Sequence, residues 1–461
     1  MSPISRTASA LAVGVALSWV TPAQAQDATS VAQELAQMRA QMERMSQRID
    51  ELEGQLAQAK ADAGAATQAA GEARAAVAEV KENPPVKVAW KGAPELTGKD
   101  GFTFKPRGRL QVDTGMVSRP NGITDKSTGF GSEVRRAYLG FDGTLPGGFG
   151  YRAEIDVAGS SVEITDLYLT YAASKNMTLT LGQHKPFWSL EELGSDLFTS
   201  FTERAALNTS FGFERRLGAS ATYSKGPLIV QGGVFTDNLS DLNNDENNSW
   251  SVDGRVVFAP KLGDGQLHVG GSAHYRELND SAASVRYRVR PLIHTPDIRF
   301  IDTGAISASS ETGYGLELAY LSGRFHATGE GHWQKVDRLD GPNPTFFGGY
   351  AEVGYFLTGG DTRGYKNGAY DRVKPANPVN KGGMGAVELN LRYDRLDLSD
   401  AGIIGGRQNG YQVSVVWTPT DYTRFLLNYG RMQYNDAFIP AAGGDRSYGV
   451  NAFGMRAQVD F

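Results

Sequence analysis

The sequence predicts an all-β membrane protein, a 16-stranded antiparallel transmembrane β-barrel with an N-terminal α-helical coiled-coil segment. The first observation is that the hydrophobic period changes along the chain, from about 3.5 residues before residue 83 to about 2 residues after residue 101. The second is that tight turns, such as residues 145–149, alternate with long polar connections, such as residues 118–132. The third is that aromatic residues fall near the ends of the alternating segments, where a transmembrane barrel carries its interfacial girdle.

The number and spacing of the alternating segments favour a barrel over a soluble sandwich. Alternation alone fits both, because a sandwich turns its apolar face inward and a membrane barrel turns it toward lipid. About sixteen segments share residues 102–461, which leaves about 22 residues for each strand and its connection, as in tilted membrane strands. Closure also leaves no unpaired strand edge in lipid. The aromatic residues near segment ends are Tyr171, Tyr223, Trp250, Trp333, Tyr350, Trp417 and Tyr429.

Composition excludes several classes of protein. The 461 residues include no cysteine, which rules out disulfide scaffolds, thiolate metal sites and cysteine nucleophiles. A formal net charge of -5 argues against a nucleic-acid binder. The longest apolar run lies at the N-terminus and is shorter than the roughly 18 residues of a spanning helix, so a helical membrane protein is not expected.

Residues 1–25 have the pattern of a secretory signal peptide. Arg6 supplies a positive start, residues 8–20 are apolar, and Ala23 and Ala25 form a small-x-small cleavage site. The protein is therefore expected to leave the cytoplasm.

Residues 26–82 are predicted to form a coiled coil. Small and apolar residues recur at alternating spacings of four and three, which places them on one seam of a helix. Self-association is preferred over the alternative of a lone amphipathic helix on a membrane, because the polar face mixes Glu, Gln and Arg. The number of chains is left open. The seam consists of Val31, Leu35, Met38, Met42, Met45, Ile49, Leu52, Leu56, Ala59, Ala63, Ala66, Ala70, Ala73, Val77 and Val80.

Residues 83–101 are expected to be a linker, and residues 102–461 the barrel. Pro84 and Pro85 stop the helix, because proline cannot continue it. One connection within the barrel is unexpected: residues 361–383 fall where a short turn should be. Either the strand count slips at this point or this turn is unusually long.

Three arginines between residues 284 and 290 alternate with apolar residues. In an extended backbone, Arg286, Arg288 and Arg290 would point to one side at intervals of about 6.6 Å. Like charges at this spacing repel, so the arrangement suggests a path along which an oxyanion passes from one guanidinium to the next. Guanidinium suits phosphate because its donors match two oxygens at once. The alternative is the basic face of a solvated loop.

A second cluster of charge lies on the lumenal side of the predicted strands. Arg136 and Tyr138 fall on the face opposite the apolar residues, and Arg135 precedes them. A structural ion pair across the barrel wall is an alternative role for these arginines. Lys185 stands at the start of residues 186–213, a segment too long and aromatic for a simple hairpin, which would constrict the barrel if it folded inward.

No arrangement of residues indicates catalysis, so the protein is not expected to be an enzyme, and no cofactor or metal is expected. The six histidines are scattered, and chain order offers no Ser/His/Asp set. A barrel enzyme of the lipase or protease kind stays an alternative.

Motifs throughout the barrel resemble those of the phosphate-selective porin O and P family. They include residues 134–143, 166–171, 181–187, 200–205, 215–218, 349–359 and the C-terminal residues 459–461. The resemblance implies a sixteen-stranded homotrimer whose third and fifth loops fold into the lumen.

The same resemblance implies roles for particular residues. Arg135, Arg136 and Tyr138 match the constriction motif of the family, and Asp166 matches its acidic residue. The arginines of residues 284–290 match the ladder in its fifth loop. The lysines that give phosphate preference belong in the third loop, where this sequence has Lys185 nearby and carboxylates between residues 189 and 202.

These patterns lead to the expectation of a porin in the outer membrane of a Gram-negative bacterium, with its coiled coil in the periplasm. It would pass small inorganic anions by passive diffusion, most of all phosphate or polyphosphate, through an arginine-lined lumen. Its expected partners are outer-membrane lipid, lipopolysaccharide and copies of itself, but not nucleic acid. The alternatives are a general or sugar-type porin without phosphate selectivity, and a structural tether built from the coiled coil and the barrel.

Overall fold

The computed structural model describes residues 28–82, 86–125, 127–240, 249–279 and 283–461. The predicted signal peptide, residues 1–25, lies outside this range. The chain divides into two units at residues 84 and 85. The first contains one helix, α1 (Ala28–Glu82), of 55 residues. None of the described helices is both long and apolar enough to span a membrane.

The second unit, over the residues described from 86 onward, is a closed barrel of sixteen antiparallel strands, which confirms the predicted fold class. Each strand pairs with the next, and the last pairs with the first from Ala452–Val117 to Asp460–Arg109. The strands are β1 (Thr103–Val117), β2 (Gly129–Leu145), β3 (Phe149–Asp156), β4 (Glu163–Ser174), β5 (Met177–His184), β6 (Arg216–Lys225), β7 (Leu228–Phe235), β8 (Trp250–Phe258), β9 (Gly265–Glu277), β10 (Ile306–Ser322), β11 (Phe325–Arg338), β12 (Thr345–Phe356), β13 (Ala386–Asp400), β14 (Ile403–Thr420), β15 (Thr423–Asn435) and β16 (Gly449–Asp460).

The strands expose apolar side chains on the outside and bury polar ones inside. On β2, Leu139 is 54% exposed, whereas the neighbouring Tyr138 is 6% exposed. Six of the seven predicted girdle aromatics are exposed on the outer face. The prediction for Tyr350 is wrong, because its place in the alternation turns it inward, where its hydroxyl donates to Glu330 at 2.6 Å.

A β-bulge brings two adjacent arginines of β2 into the lumen. Gln111 of β1 stands opposite Arg136, but the next residue, Val112, stands opposite Val134. Arg135 is therefore the extra residue, and its side chain joins that of Arg136 on the inner side. Strict alternation would have sent one of the two guanidinium groups into lipid.

Most long connections lie at one end of the barrel and most short ones at the other, although the two-residue turn at residues 401–402 lies at the end with the long connections. Two long ones fold inward and are named by their order along the chain: loop 3 (residues 185–215) and loop 5 (residues 278–305). The connection at residues 357–385, called the long turn, leaves from the short-turn end, so the turn is long and the strand count does not slip. It contains a hairpin of Gly364–Lys366 and Ala369–Asp371, and Tyr370 is buried.

The expected linker, residues 83–101, contains ordered structure. Lys87–Trp90 pairs with Pro94–Thr97, and this second segment continues the sheet by pairing with β1 at Leu96–Phe104. Gly92 has a φ of 82°, so the reversal between the two segments uses a left-handed conformation that glycine adopts without strain.

Candidate functional site

Loop 3 crosses the barrel and is held against one wall by carboxylates of β11 and β13. Glu330 accepts hydrogen bonds from the backbone amides of Leu190 and Glu191, both at 2.9 Å. Asp394 accepts one from the amide of Ala206 at 2.8 Å. A buried carboxylate that accepts backbone N–H donors fixes the position of the loop that carries them.

Arg392 of β13 ties the loop to the same wall. Its guanidinium contacts Glu191 of loop 3 and Glu352 of β12, each at 3.0 Å. It also lies 4.1 Å from the ring centre of Phe201, a loop residue that is fully buried. Loop 3 is thus anchored to this wall by both charge and packing, and strands β1 to β5 form the opposite wall.

That opposite wall and the near side of loop 3 enclose a basic cavity of about 300 Å³. Two acidic residues, Asp166 and Asp196, face five cationic side chains across it. The lining itself carries more positive than negative side chains, and three carboxylates next to it, Asp142, Glu154 and Glu192, also pair with these cations. The five cationic residues are Arg107, Arg109, Arg152, Lys185 and Arg215.

Asp196 neutralises the two most buried arginines near the cavity. Arg136 contacts it at 2.7 Å, and Arg109 contacts its other carboxylate oxygen. Burial alone would raise the pKa of Asp196, but Arg109 and Arg136 hold it well below its usual range. These arginines therefore act mainly as anchors for loop 3.

Arg135 and Tyr138, the other two residues predicted from the β2 motif, contact loop 3 and a residue that lines the cavity, respectively. The guanidinium of Arg109 lies 4.4 Å from the ring centre of Tyr138. Arg135 forms an ion pair with Glu203 of loop 3 at 2.8 Å. Both of the predicted β2 arginines are thus paired with carboxylates of loop 3.

Asp166 is the acidic residue of the cavity that pairs with Arg152 and Arg215. Arg215 contacts it at 2.5 Å, and Arg152 contacts it at 3.6 Å. Arg152 also pairs with Asp142 at 3.1 Å and is more than a quarter exposed. Both guanidinium groups line the cavity beside Asp166.

Lys185 borders the cavity from the start of loop 3. Its ammonium group contacts Glu192 at 3.0 Å. Burial, and then the guanidinium of Arg204, lower the pKa of Lys185 to about 8. Its charge is therefore present below pH 8 and is lost above it.

The titration of Lys185 gives a prediction. As pH rises from 7 to 9, the ratio of anion to cation permeability should fall, because the cavity loses one positive charge. Reversal potentials in a salt gradient measure this ratio at each pH. Lys185→Arg should keep the ratio constant over the same range, because arginine stays charged. An equal fall in both proteins would contradict the assignment to Lys185.

Loop 5 places its arginines in the predicted alternation. Val285, Tyr287 and Val289 are buried, and the arginines point the other way. They are not a row of uncompensated charges, however, because segments that follow in loop 5 bring carboxylates to two of them. Arg286 pairs with Asp302 at 2.6 Å, and Arg290 pairs with Asp297 at 2.7 Å.

Arg288 differs from its two neighbours. Its side chain is exposed and forms neither a hydrogen bond nor an ion pair with any residue that the structure describes. It is therefore the cation of the triplet that is most available to a passing anion.

A second cavity, of about 220 Å³, lies between loops 3 and 5. Three arginines, Arg216, Arg276 and Arg286, line it together with three acidic residues, Glu214, Asp237 and Glu311. Arg216 is buried yet forms no ion pair within the described part of the chain. Its guanidinium is thus a fixed positive charge on the wall of this cavity.

Sequence reasoning missed three of the lumenal cations: Arg107, Arg109 and Arg152. Each alternates with lipid-facing residues, as Arg109 does with Leu110, so strand parity could have identified them. Parity could not have identified their carboxylate partners, which come from distant parts of the chain.

Comparisons with known proteins give the family. The family described as "Phosphate-selective porin O and P" matches residues 104–461. A protein of Caulobacter vibrioides described as uncharacterized is 47% identical over 386 residues, 82% of this chain and 78% of that protein. Porin O of Pseudomonas aeruginosa is 28% identical over 390 residues, 74% of this chain and 85% of that protein.

A solved structure with the same fold is that of the outer-membrane protein OmpT of Vibrio cholerae. Its TM-score is 0.50 at 12% identity, and the match covers 81% of this chain and all of that one. The matched family and the closed barrel point to a channel of the outer membrane rather than an enzyme, and the chain belongs to the phosphate-selective porin O and P family.

Proposed function

We propose that this porin passes small inorganic anions by passive diffusion, with phosphate or polyphosphate preferred. The observation that carries the proposal is the cavity in which five cationic side chains face two carboxylates, beside a loop that buried ion pairs hold in place. The family description and the relative named Porin O support an anion as the solute. We also propose a homotrimer in contact with lipid and lipopolysaccharide, with α1 in the periplasm.

The mechanism is electrostatic. Exposed Arg288 and buried Arg216, neither of which forms an ion pair within the described residues, raise the local concentration of anions. In the larger cavity, Arg152 and Arg215 replace part of the hydration shell with fixed N–H donors. Asp166 shares these donors, which keeps binding weak enough for release. The protein forms no covalent bond to the solute.

The proposal is tested by single channels in a planar bilayer. In a potassium chloride gradient, the reversal potential should have the sign of an anion-selective pore. Phosphate added at constant ionic strength should reduce the chloride current, because the divalent ion occupies the same donors. A cation-selective potential would refute the anion pore, and a chloride current insensitive to phosphate would refute the phosphate preference. Block by a sugar would indicate a sugar-type pore, and a closed pore would indicate a structural tether.

Arg288 provides a residue-level prediction. Arg288→Ala should weaken the block by phosphate by roughly two- to fivefold, because one uncompensated charge is removed from the approach. The concentration of phosphate that halves the chloride current measures the effect. Arg395→Ala is the matched control, since Arg395 lies on the outer face of β13. A block that is unchanged in Arg288→Ala, or weakened equally in both variants, would contradict a role for Arg288.

A further inference from the structure

Helix α1 has an apolar seam whose large side chains are exposed. Its eight large apolar side chains are between 42% and 61% exposed. The helix precedes residues 104–461, the part of the chain that the family description matches. The eight side chains belong to Val31, Leu35, Met38, Met42, Met45, Ile49, Leu52 and Leu56.

The charged residues that flank this seam select a partner. The seam residues Leu35, Met42, Ile49 and Leu56 occupy position a of successive heptads. In a parallel in-register coiled coil, the residue just before each position a faces the residue five places later on the neighbouring chain. Glu34 then faces Arg39 of the other copy, and Arg48 faces Glu53. Both pairs have opposite charge. The other pairings of this kind between residues 41 and 74 contain no like charges; they are Gln41–Ser46, Gln55–Lys60, Asp62–Thr67 and Ala69–Arg74.

The charges also discriminate against a shifted register. If one chain slides by seven residues so that Glu34 faces Ser46, both attractive pairs are lost and Arg48 faces Lys60. Two other attractive pairs form, Asp62 with Arg74 and, in the reciprocal direction, Asp62 with Lys60, against four in the unshifted dimer, where each attractive pair occurs twice. Like charges at these flanking positions destabilise a coiled coil. The unshifted alignment thus has more attractive pairs and no like-charge pair, which is the property expected of a helix whose partner is another copy of itself.

We propose that α1 binds other copies of this chain in a parallel, in-register coiled coil. Residues 31–56 hold the copies together, because their seam contains Leu, Ile, Met and Val. From Ala59 to Ala73 every seam residue is alanine, and Gly64 and Gly71 lie in the same stretch of helix. This half therefore contributes less to the stability of the coiled coil.

Cysteine cross-linking tests the arrangement without interference from native thiols, because the chain has no cysteine. Leu35→Cys places a thiol on the seam, and Ala40→Cys places one on the opposite face of the same helix. In the full-length purified protein, oxidation should link Leu35→Cys into covalent dimers at least tenfold faster than Ala40→Cys. Equal rates for the two variants would overturn the proposal. In a co-folded mixture of Leu35→Cys with Leu56→Cys, predominant linkage between the two different positions would also overturn it, because that product requires antiparallel chains.

Charge reversal tests the register in the Leu35→Cys protein. Arg39→Glu places two acidic residues opposite each other and should slow cross-linking several-fold. Adding Glu34→Arg restores an attractive pair with its sign reversed and should restore the rate. A helix that lies on a membrane surface would show no such restoration, and a double variant no faster than the single one would refute the register. Anion selectivity, measured on the same proteins, should be unchanged throughout.

Discussion

Arg392→Met should lower the free energy of unfolding of the barrel by about 3–5 kcal/mol, because it leaves two buried carboxylates without their cation. Glu191 of loop 3 and Glu352 of β12 both contact this guanidinium at 3.0 Å, and Arg392 is itself buried. The midpoint of the heat-induced change in gel mobility, which separates folded from unfolded barrels, measures the loss. Single-channel recordings should also become noisier, since loop 3 loses one of its anchors.

Two further variants separate the loss of this ion pair from a general loss of packing. Arg395→Met changes the same residue type on the outer side of β13, where the side chain is partly exposed, and should shift the midpoint little. Glu352→Gln in the Arg392→Met background removes one of the uncompensated charges and should recover part of the stability. If Arg392→Met and Arg395→Met destabilise the barrel equally, the buried network does not hold loop 3 as described.

Arg152→Gln and Asp166→Asn should shift ion selectivity in opposite directions. Both side chains line the larger cavity, and they contact each other at 3.6 Å. Two unit charges 4 Å apart in water interact by about 1 kcal/mol. Adding or removing one such charge therefore changes the occupancy of the cavity by an anion about fivefold. The ratio of anion to cation permeability should therefore fall about fivefold in Arg152→Gln and rise about fivefold in Asp166→Asn.

Reversal potentials in a salt gradient provide this measurement, and Arg395→Gln provides an arginine control outside the lumen. Higher salt should reduce both effects, because counter-ions screen the charges. A shift in the same direction for both variants would show that the substitutions act through the shape of the cavity, and the electrostatic mechanism would then be wrong.

The sequence by itself determined the features that depend on local periodicity. Alternation along β2 placed Tyr138 inside and Leu139 outside, and the four-three spacing of α1 placed its apolar residues on one seam, because side-chain direction follows from position along a strand or helix. It also placed Arg286, Arg288 and Arg290 on one side of an extended segment. The bulge at Arg135 is a local departure that alternation does not encode, so the inward direction of both β2 arginines became visible only in the pairing of β1 with β2.

Only the tertiary structure decided which charges are free to act on a solute. Asp196 lies 87 residues from Arg109, and Glu191 lies 201 residues from Arg392, yet each acidic residue neutralises its partner. The inward fold of the long turn is likewise held by distant contacts, such as Tyr365 with His268 at 2.7 Å. Such pairs form because closure of the barrel brings remote strands and loops into one low-dielectric interior, where a buried charge must find a partner wherever the chain supplies one.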